Sequence, residues 1–423
     1  MLNLIVKDVL GTPAILLGLF ALLGLTLQKK NFADIMSGTL KTIMGFIILG
    51  VGANVLVGTL SSFGTMFEQA FHIQGIIPNN EVVVAIAQKA FGKQTALIML
   101  LGMLVNILIA RFTRFKYIFL TGHHAMYMAC MLAVILATLG LGDMQITIIG
   151  ALILGSAMAL FPAMLQPFTR QITESDDFAL GHFNSIAYLL SSLTGKYLGN
   201  KNNSTEELKV PKSLGFLRDS SVSLALTMTI LFIIVGICAG STFVETKLSS
   251  GQNFIVYALI QAITFAAGVY VILAGVRMLL AEIVPAFKGI ADKLVPNAIP
   301  ALDCPAVFPF APNAVIIGFF SSFVAGLICM FIFPVLGLLV IVPGLVPHFF
   351  DGATAGVFGN ATGGRRGAIL GAFVNGIVIS ILPALLFVIL GGMGFHGSTF
   401  GDSDFGFIGV ILAKVAAIFL INF

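Results

Sequence analysis

Five polar islands interrupt an otherwise apolar chain: Asn80-Glu81, His123, His182, Asp303, and Asp351-Gly352-Ala353-Thr354 with Asn360 and Thr362. Asp303 lies in ALDCPAVFPFAPNAVIIGFF (301–320), among Pro300, Pro305, Pro309 and Pro312, with strongly apolar flanks. Proline removes backbone donors and breaks helices. Non-helical backbone at membrane depth persists only where protein or a watery cavity surrounds it. A carboxylate there costs about 2.5–3.5 kcal/mol on insertion scales and is by default functional. The competing reading makes this stretch a cytoplasmic loop with a solvated Asp303. Together the islands offer a carboxylate acceptor, two imidazoles, several amides and hydroxyls, and backbone groups at a Gly352 to Thr354 turn. Such a set suits a small ligand dense in hydroxyl groups, which needs directional hydrogen bonds more than an apolar slot.

Blander roles compete at each position. His123 and His182 can be satisfied packing residues, and His124 reads that way first. Glu81 can be a solvated hairpin tip, and Arg365-Arg366 reads as a topology signal. His72, His348 and His396 lie near segment ends and receive no role. Cys130, Cys238, Cys304 and Cys329 lack metal-ligand spacing and behave as small hydrophobes. The sequence points to no metal set and no cofactor. It carries no G-x-x-x-x-G-K-[ST] phosphate loop. No nucleophile–base pair stands out, which disfavours an enzyme acting on lipid.

The elements that must hold these residues are membrane spans. The chain has 423 residues, 58% hydrophobic and 9% charged, with a mean hydropathy of +1.06. Soluble domains carry about 25% charged residues. A net charge of +4, placed in loops, fits membrane orientation and not nucleic-acid binding. The first apolar stretch runs into Gln28-Lys29-Lys30 without a small-residue cleavage site, so no cleavable signal peptide is expected. Spans are expected at 12–27, 43–63, 95–110, 117–140, 145–164, 220–240, 255–281, 313–333, 336–350, 369–391 and at the end of the chain. That makes about eleven, with re-entrant pieces near 64–93 and at Asp303. Residues 199–215, GNKNNSTEELKVPKSLG, form the one hydrophilic run and read as a solvated linker between two halves.

The halves share a faint pattern. A glycine-rich span leads to Pro78-Asn79-Asn80 in one, and Gly268 to Glu282 leads to Pro296-Asn297-Ala298 in the other. Placing the basic clusters at Lys29 to Lys41, Arg111 to Lys116, Lys196 to Lys212, Arg277 to Lys293 and Arg365-Arg366 in the cytoplasm puts the N-terminus outside. The halves then have opposite orientations, which is inverted-repeat transporter logic with the site near the midplane. An ion-coupled secondary transporter, with Asp303 and Glu81 carrying a proton or sodium ion, fits the same residues.

The phrases FLTGHH (119–124), LGHF (180–183), AEIVPAFKGIADKLVPNAIPALDC (281–304), FAPNAVIIGF (310–319), VPGLVPHFF (342–350) and ATAGVFGNATGG (353–364) resemble those of one family. It is the ascorbate-type membrane subunit, enzyme IIC, of the bacterial phosphoenolpyruvate:sugar phosphotransferase system. The resemblance covers essentially the whole chain and is most specific from Ala281 to Gly364. It implies an all-α polytopic homodimer in the bacterial inner membrane, with about eleven helices per protomer in two inverted repeats with re-entrant hairpins. V-motif helices would occupy 1–64 and 217–288, and an elevator-type core 65–199 and 289–423, around a cytoplasmic linker at 200–216. Such a subunit is a permease, not an enzyme. It imports L-ascorbate or a related sugar, which soluble IIB phosphorylates after being charged by IIA. The family's site residues map to His123, His182 and Asp303. Elsewhere the chain departs from the pattern: Asn80-Glu81-Val82 stands for Thr-Tyr-Ala, and Tyr127 and Phe183 stand for two glutamines. These changes alter the hydrogen-bond set a ligand meets, so another sugar acid, a pentose or a polyol rivals ascorbate.

Overall fold

A computed structural model describes residues 13–71, 76, 78, 80–208, 220–293, 295–391 and 399–420. Its first half runs α1 (Pro13–Leu27), α2 (Phe32–Phe71), α3 (Asn80–Phe112), α4 (Gly122–Thr138), α5 (Asp143–Thr173) and α6 (Ser185–Leu198). Its second half runs α7 (Ser220–Ala239), the single turn α8 (Ser241–Phe243), α9 (Phe254–Lys293), α10 (Pro312–Ile332), α11 (Leu345–Gly391) and α12 (Ser403–Leu420). The helices are apolar around most of their circumference, as a lipid solvent demands. On α5, Leu154 and Met158 are buried while Ile148, Ile149 and Leu152 remain exposed.

Among the described residues, five stretches are long and apolar enough to cross a membrane alone: Phe32–Gly52, Ala90–Phe112, Asp143–Thr173, Pro312–Ile332 and Val346–Leu390. Met228–Ala239 and Ser241–Leu248, bent by 102°, make a sixth if they act as one span. The expected count also includes shorter apolar pieces such as Gly122–Thr138 and Phe254–Gly268, which fall below that length.

Helices α1, α2, α7 and α9 pack on one another; α3 packs on α4 and α5, and α11 on α6 and α10. The α10–α11 contact is a backbone approach. A Cβ on Gly318 would stand 2.7 Å from the Gly356 Cα, and small residues are what allow such contacts in membranes. In α11 the helix breaks at Gly363 and Gly364, the latter at φ 59°, ψ −150°, a region open essentially to glycine alone.

The polar run beyond α6 is mostly solvent-exposed over its described residues, and it is also tied to that break. Asn200 N–H donates to the Gly363 carbonyl at 2.8 Å, and Arg365 N–H to the Asn203 carbonyl at 2.7 Å. Two of the backbone groups at the helix break are thereby satisfied. Glu206 accepts the N–H groups of Asn313 and Ala314 at the start of α10, at 3.2 and 3.1 Å. Residues 209–219 lie outside the described residues.

The expected all-α class omits one element that organises the site. Strands β1 (Tyr117–Phe119), β2 (Ala179–Leu180) and β3 (Ile299–Leu302) form a parallel sheet in the order β1-β3-β2. Phe119 stands opposite Ala301, and Leu180 opposite Leu302. The buried Asn106 of α3 closes the β1 edge: its amide donates to the Tyr117 carbonyl and accepts the Phe119 N–H, each at 3.0 Å. Open edges are otherwise unsatisfied.

Candidate functional site

All three strands run toward one place. Past β1 the chain turns through Leu120 and Thr121 into His123 and His124 at the start of α4; past β2 comes Gly181-His182; past β3 comes Asp303. Parallel strands that end together gather the residues just beyond them into a group, the logic that places ligands at carboxyl ends in α/β sheets. Gly181 N–H donates to the Leu302 carbonyl at 2.6 Å. A Cβ at Gly181 would lie 2.7 Å from the Ala301 oxygen, so only glycine lets β2 and β3 close up here.

Asp303 caps the 3₁₀ turn Cys304–Phe310, its Oδ1 accepting the Cys304 N–H at 2.7 Å. The same oxygen lies 2.8 Å from His182 Nδ1, and Oδ2 lies 3.5 Å from His123 Nε2. The other ring nitrogen of His182, Nε2, is 3.0 Å from Asp351 Oδ1 and 3.2 Å from Asp402 Oδ1. Both ring nitrogens therefore face carboxylate oxygens. A ring that donates from both nitrogens is positively charged; where Asp351 or Asp402 holds the proton, Nε2 accepts it instead. Tyr188 donates its hydroxyl to Asp351 at 3.0 Å. Asn80 donates to Asp402 at 2.6 Å and accepts the Gly401 N–H at 2.8 Å. His124 lies with its ring 3.8 Å from that of His182 and accepts the Phe183 N–H on Nδ1 at 3.4 Å. An accepting nitrogen makes His124 neutral.

Asn80 arrives by a separate device. Ile76 pairs in parallel with Ile341 through two 3.0 Å backbone bonds, to Val340 and Val342. The segment ahead of α3 is thus tied to the segment ahead of α11, and both ends meet the same cavity. That cavity holds about 260 Å³, just under the range of about 300–1,000 Å³ for drug-sized ligands. His123, His182, Asp303, Asp402 and Asn80 are polar groups of its lining, together with Phe46 and Asn54 of α2 and Val346 and Phe350 of α11. Its dimensions and its polar–apolar division suit one small ligand rich in hydroxyls.

The sequence spacing suggested no metal set, yet folding creates three overlapping trios: His123-His124-Asp303, His124-His182-Asp402 and His182-Asp303-Cys304, each with ligand atoms within 4.8 Å. In two of them His182 is a member, and its nitrogens are already engaged by carboxylates. A bound cation would have to break these contacts.

The family described as the PTS system sugar-specific permease component matches residues 8–404. The chain belongs to that family. A relative, the ascorbate-specific PTS system EIIC component of Mycoplasma pneumoniae, is 26% identical over 415 residues, covering 85% of this chain. The chain spans 63% of that relative's own length. With family and apolar helices together, the chain is a multi-pass membrane permease component.

Within the permease, His123, Tyr127, His182, Asp303 and Asn80 all line the cavity. Glu81 and Val82 fall in the first turn of α3, with side chains outside the described residues. Phe183 does not reach the cavity; it is fully buried and stacks on Phe119 at 4.9 Å between centroids. The expected turn at Gly352 to Thr354 is instead continuous α11 helix. Gly352 packs against Ser322 of α10, and Thr354 donates its hydroxyl to the Phe350 carbonyl at 2.7 Å. Helical bonding consumes the backbone groups that a turn would have offered. His348 is buried and bonded to Ser322 at 2.8 Å; His72 and His396 lie outside the described residues. Three residues of the cluster escaped the sequence reading: Asp402, Asp351 as a partner of His182, and His124. The signal at Asp402 was the short polar break Gly401-Asp402-Ser403-Asp404 ahead of an apolar run.

Proposed function

We propose that the chain is the membrane-embedded permease subunit of a phosphotransferase system for a small sugar or sugar derivative. The observation that carries this reading is the convergence of His123, His182 and Asp303 at the ends of three parallel strands, facing a cavity of about 260 Å³. Asp303 and Asp402 accept ligand hydroxyls, Asn80 and His123 orient them, and Phe46 and Phe350 cover the apolar faces of the ring. L-ascorbate, the substrate in the relative's name, or a related sugar acid or sugar is the candidate ligand.

In this reading soluble IIA and IIB proteins supply the phosphoryl group, IIB docking on the basic cytoplasmic face, and the permease provides alternating access without catalysing the transfer. The N-terminus lies outside the bacterial inner membrane and the 200–216 linker inside. Helices α1, α2, α7 and α9 form the V-motif framework of a homodimer, and the strand-bearing remainder moves as an elevator. The equal lengths of α2 and α9, 40 residues each, and their mutual packing support an inverted repeat.

Uptake of labelled sugar by cells expressing this chain, with and without IIA and IIB, tests the proposal. Accumulation of sugar phosphate only with both partners is the expected result. The acid cluster around His182 favours one rival, an ion-coupled secondary transporter. That rival is supported if free sugar accumulates without partners and an uncoupler abolishes it.

A further inference from the structure

Behind the cavity runs a chain of buried side chains whose direction one backbone group fixes. The Ser403 N–H at the start of α12 donates to Asn184 Oδ1 at 2.9 Å. With its oxygen so committed, Asn184 turns its NH2 to Asn375 Oδ1 of α11, at 2.8 Å. Asn375 then donates its own NH2 to Ser322 Oγ of α10, at 3.1 Å. Ser322 accepts there, so its hydrogen is left for His348 Nδ1, at 2.8 Å. A flip of either amide would set donor against donor. Ser322 beside His348 is no nucleophile with its base, because Ser322 has no exposed surface for a reactant to reach.

The chain joins three segments that border the cavity. Asn184 follows His182 by two residues and precedes α6; Ser403 follows Asp402 directly. His348 lies in the first turn of α11 among Val346, Pro347 and Phe350, which line the cavity as His182 and Asp402 do. At one end Asp404 tightens the joint, accepting the Ser185 and Ile186 N–H groups of α6 at 2.8 and 2.9 Å. At the other, Gly326 of α10 makes room for the imidazole: a Cβ there would lie 2.5 Å from His348 Nε2.

Asn375 is the middle of this chain, fully buried and outside the cavity lining. Building on the permease reading, we infer that Asn375 is a positioning residue of the sugar site. Through it the start of α11 keeps its distance from His182 and Asp402, so that a ligand between them meets its hydrogen-bond partners in range. An apolar side chain of the same shape leaves the Asn184 NH2 without its acceptor and Ser322 without its donor. In a dry interior these groups regain partners only by moving, and the walls of the cavity move with them.

Partner-dependent uptake of labelled L-ascorbate, D-ribose and ribitol is measured in vesicles holding the full-length chain, and the sugar that the wild type accumulates is followed in the variants. Asn375→Leu is expected to raise KM about tenfold. Its Vmax per folded transporter, counted by size-exclusion chromatography of the same membranes, is expected to stay within about twofold. Ser322→Ala opens the same chain by loss of one hydroxyl and should raise KM in the same direction; it decides the matter alone should Asn375→Leu fail to fold. Ser192→Ala is the control, because that hydroxyl bonds the Tyr188 carbonyl one turn back in its own helix, at 2.9 Å, and its KM should not change. A residue that only stabilises the fold lowers the number of working transporters and leaves KM alone, so an unchanged KM in the folded variants overturns the inference whatever Vmax does. That result leaves the permease reading standing. A folded wild type that accumulates none of the three sugars with its partners overturns the permease reading, and this inference with it.

Discussion

At the scale of single residues, Asp303 does two jobs that a substitution can separate. It caps the turn at Cys304 and it supplies negative charge to His182, His123 and the cavity. Asparagine is as good a cap as aspartate, so Asp303→Asn keeps the turn and removes the charge. A hydrogen bond to a charged group is worth about 1.5–3 kcal/mol, so sugar affinity is expected to fall by at least tenfold. The elution profile and helical circular dichroism should stay those of the wild type. Unchanged affinity in calorimetry would take Asp303 out of the site. Residues of this kind were legible because a charge in apolar sequence is costly and conspicuous. Asp402 was less so: Gly401-Asp402-Ser403-Asp404 looks like an ordinary polar loop until Asn80, 322 positions away, is found on its carboxylate. Asp351 was visible as a polar island, but its partnership with His182 spans 169 positions and has no local trace.

At the scale of elements, the sheet fixes how far His182 stands from Asp303. A Cβ at Gly181 would meet the oxygen and carbon of Ala301 at 2.7 and 2.8 Å. Both are backbone atoms of β3, so no side chain can rotate away, and the strands must part. Overpacking of this kind costs about 1–3 kcal/mol. Gly181→Ala is expected to lower the melting temperature and weaken sugar binding together, because the displaced strand carries His182 with it. Gly236→Ala on α7 is the control. Its Cβ would meet only ordinary contacts, Phe254 at 3.5 Å and Met66 at 4.0 Å, and neither readout should drop. Equal behaviour of the two variants would refute the sheet's role. Such an element is hidden from periodicity, since β2 has 2 residues and β3 has 4, too few for alternation to register. Its sequence mark is indirect: each strand precedes a polar island. The long helices were legible for the opposite reason, since lipid leaves a run of about twenty apolar residues little else to become. The Gly352 to Thr354 turn does not form because a glycine in a membrane helix marks close helix packing as readily as exposed backbone.

For the whole molecule, the cavity lies between two bodies of different origin. Phe46, Gly50 and Asn54 come from α2, which packs with α1, α7 and α9; the polar side comes from the strand ends, α4 and the start of α12. If the strand-bearing body slides past α2 to carry sugar inward, a bond across the cavity should stop it. Asn54 of α2 and Val346 of α11 both line that one space, so cysteines at these two positions are the sites for a short flexible bis-maleimide. The double variant is made in a background lacking Cys130, Cys238, Cys304 and Cys329, with Cys304 replaced conservatively because it lines the cavity. Cross-linking is expected to abolish partner-dependent uptake in vesicles while the protein stays folded. Each single-cysteine variant, treated in the same way, should keep most of its transport. Transport that survives quantitative cross-linking would mean that the site does not move relative to α2. Access would then have to alternate through smaller gates at either end of a stationary cavity.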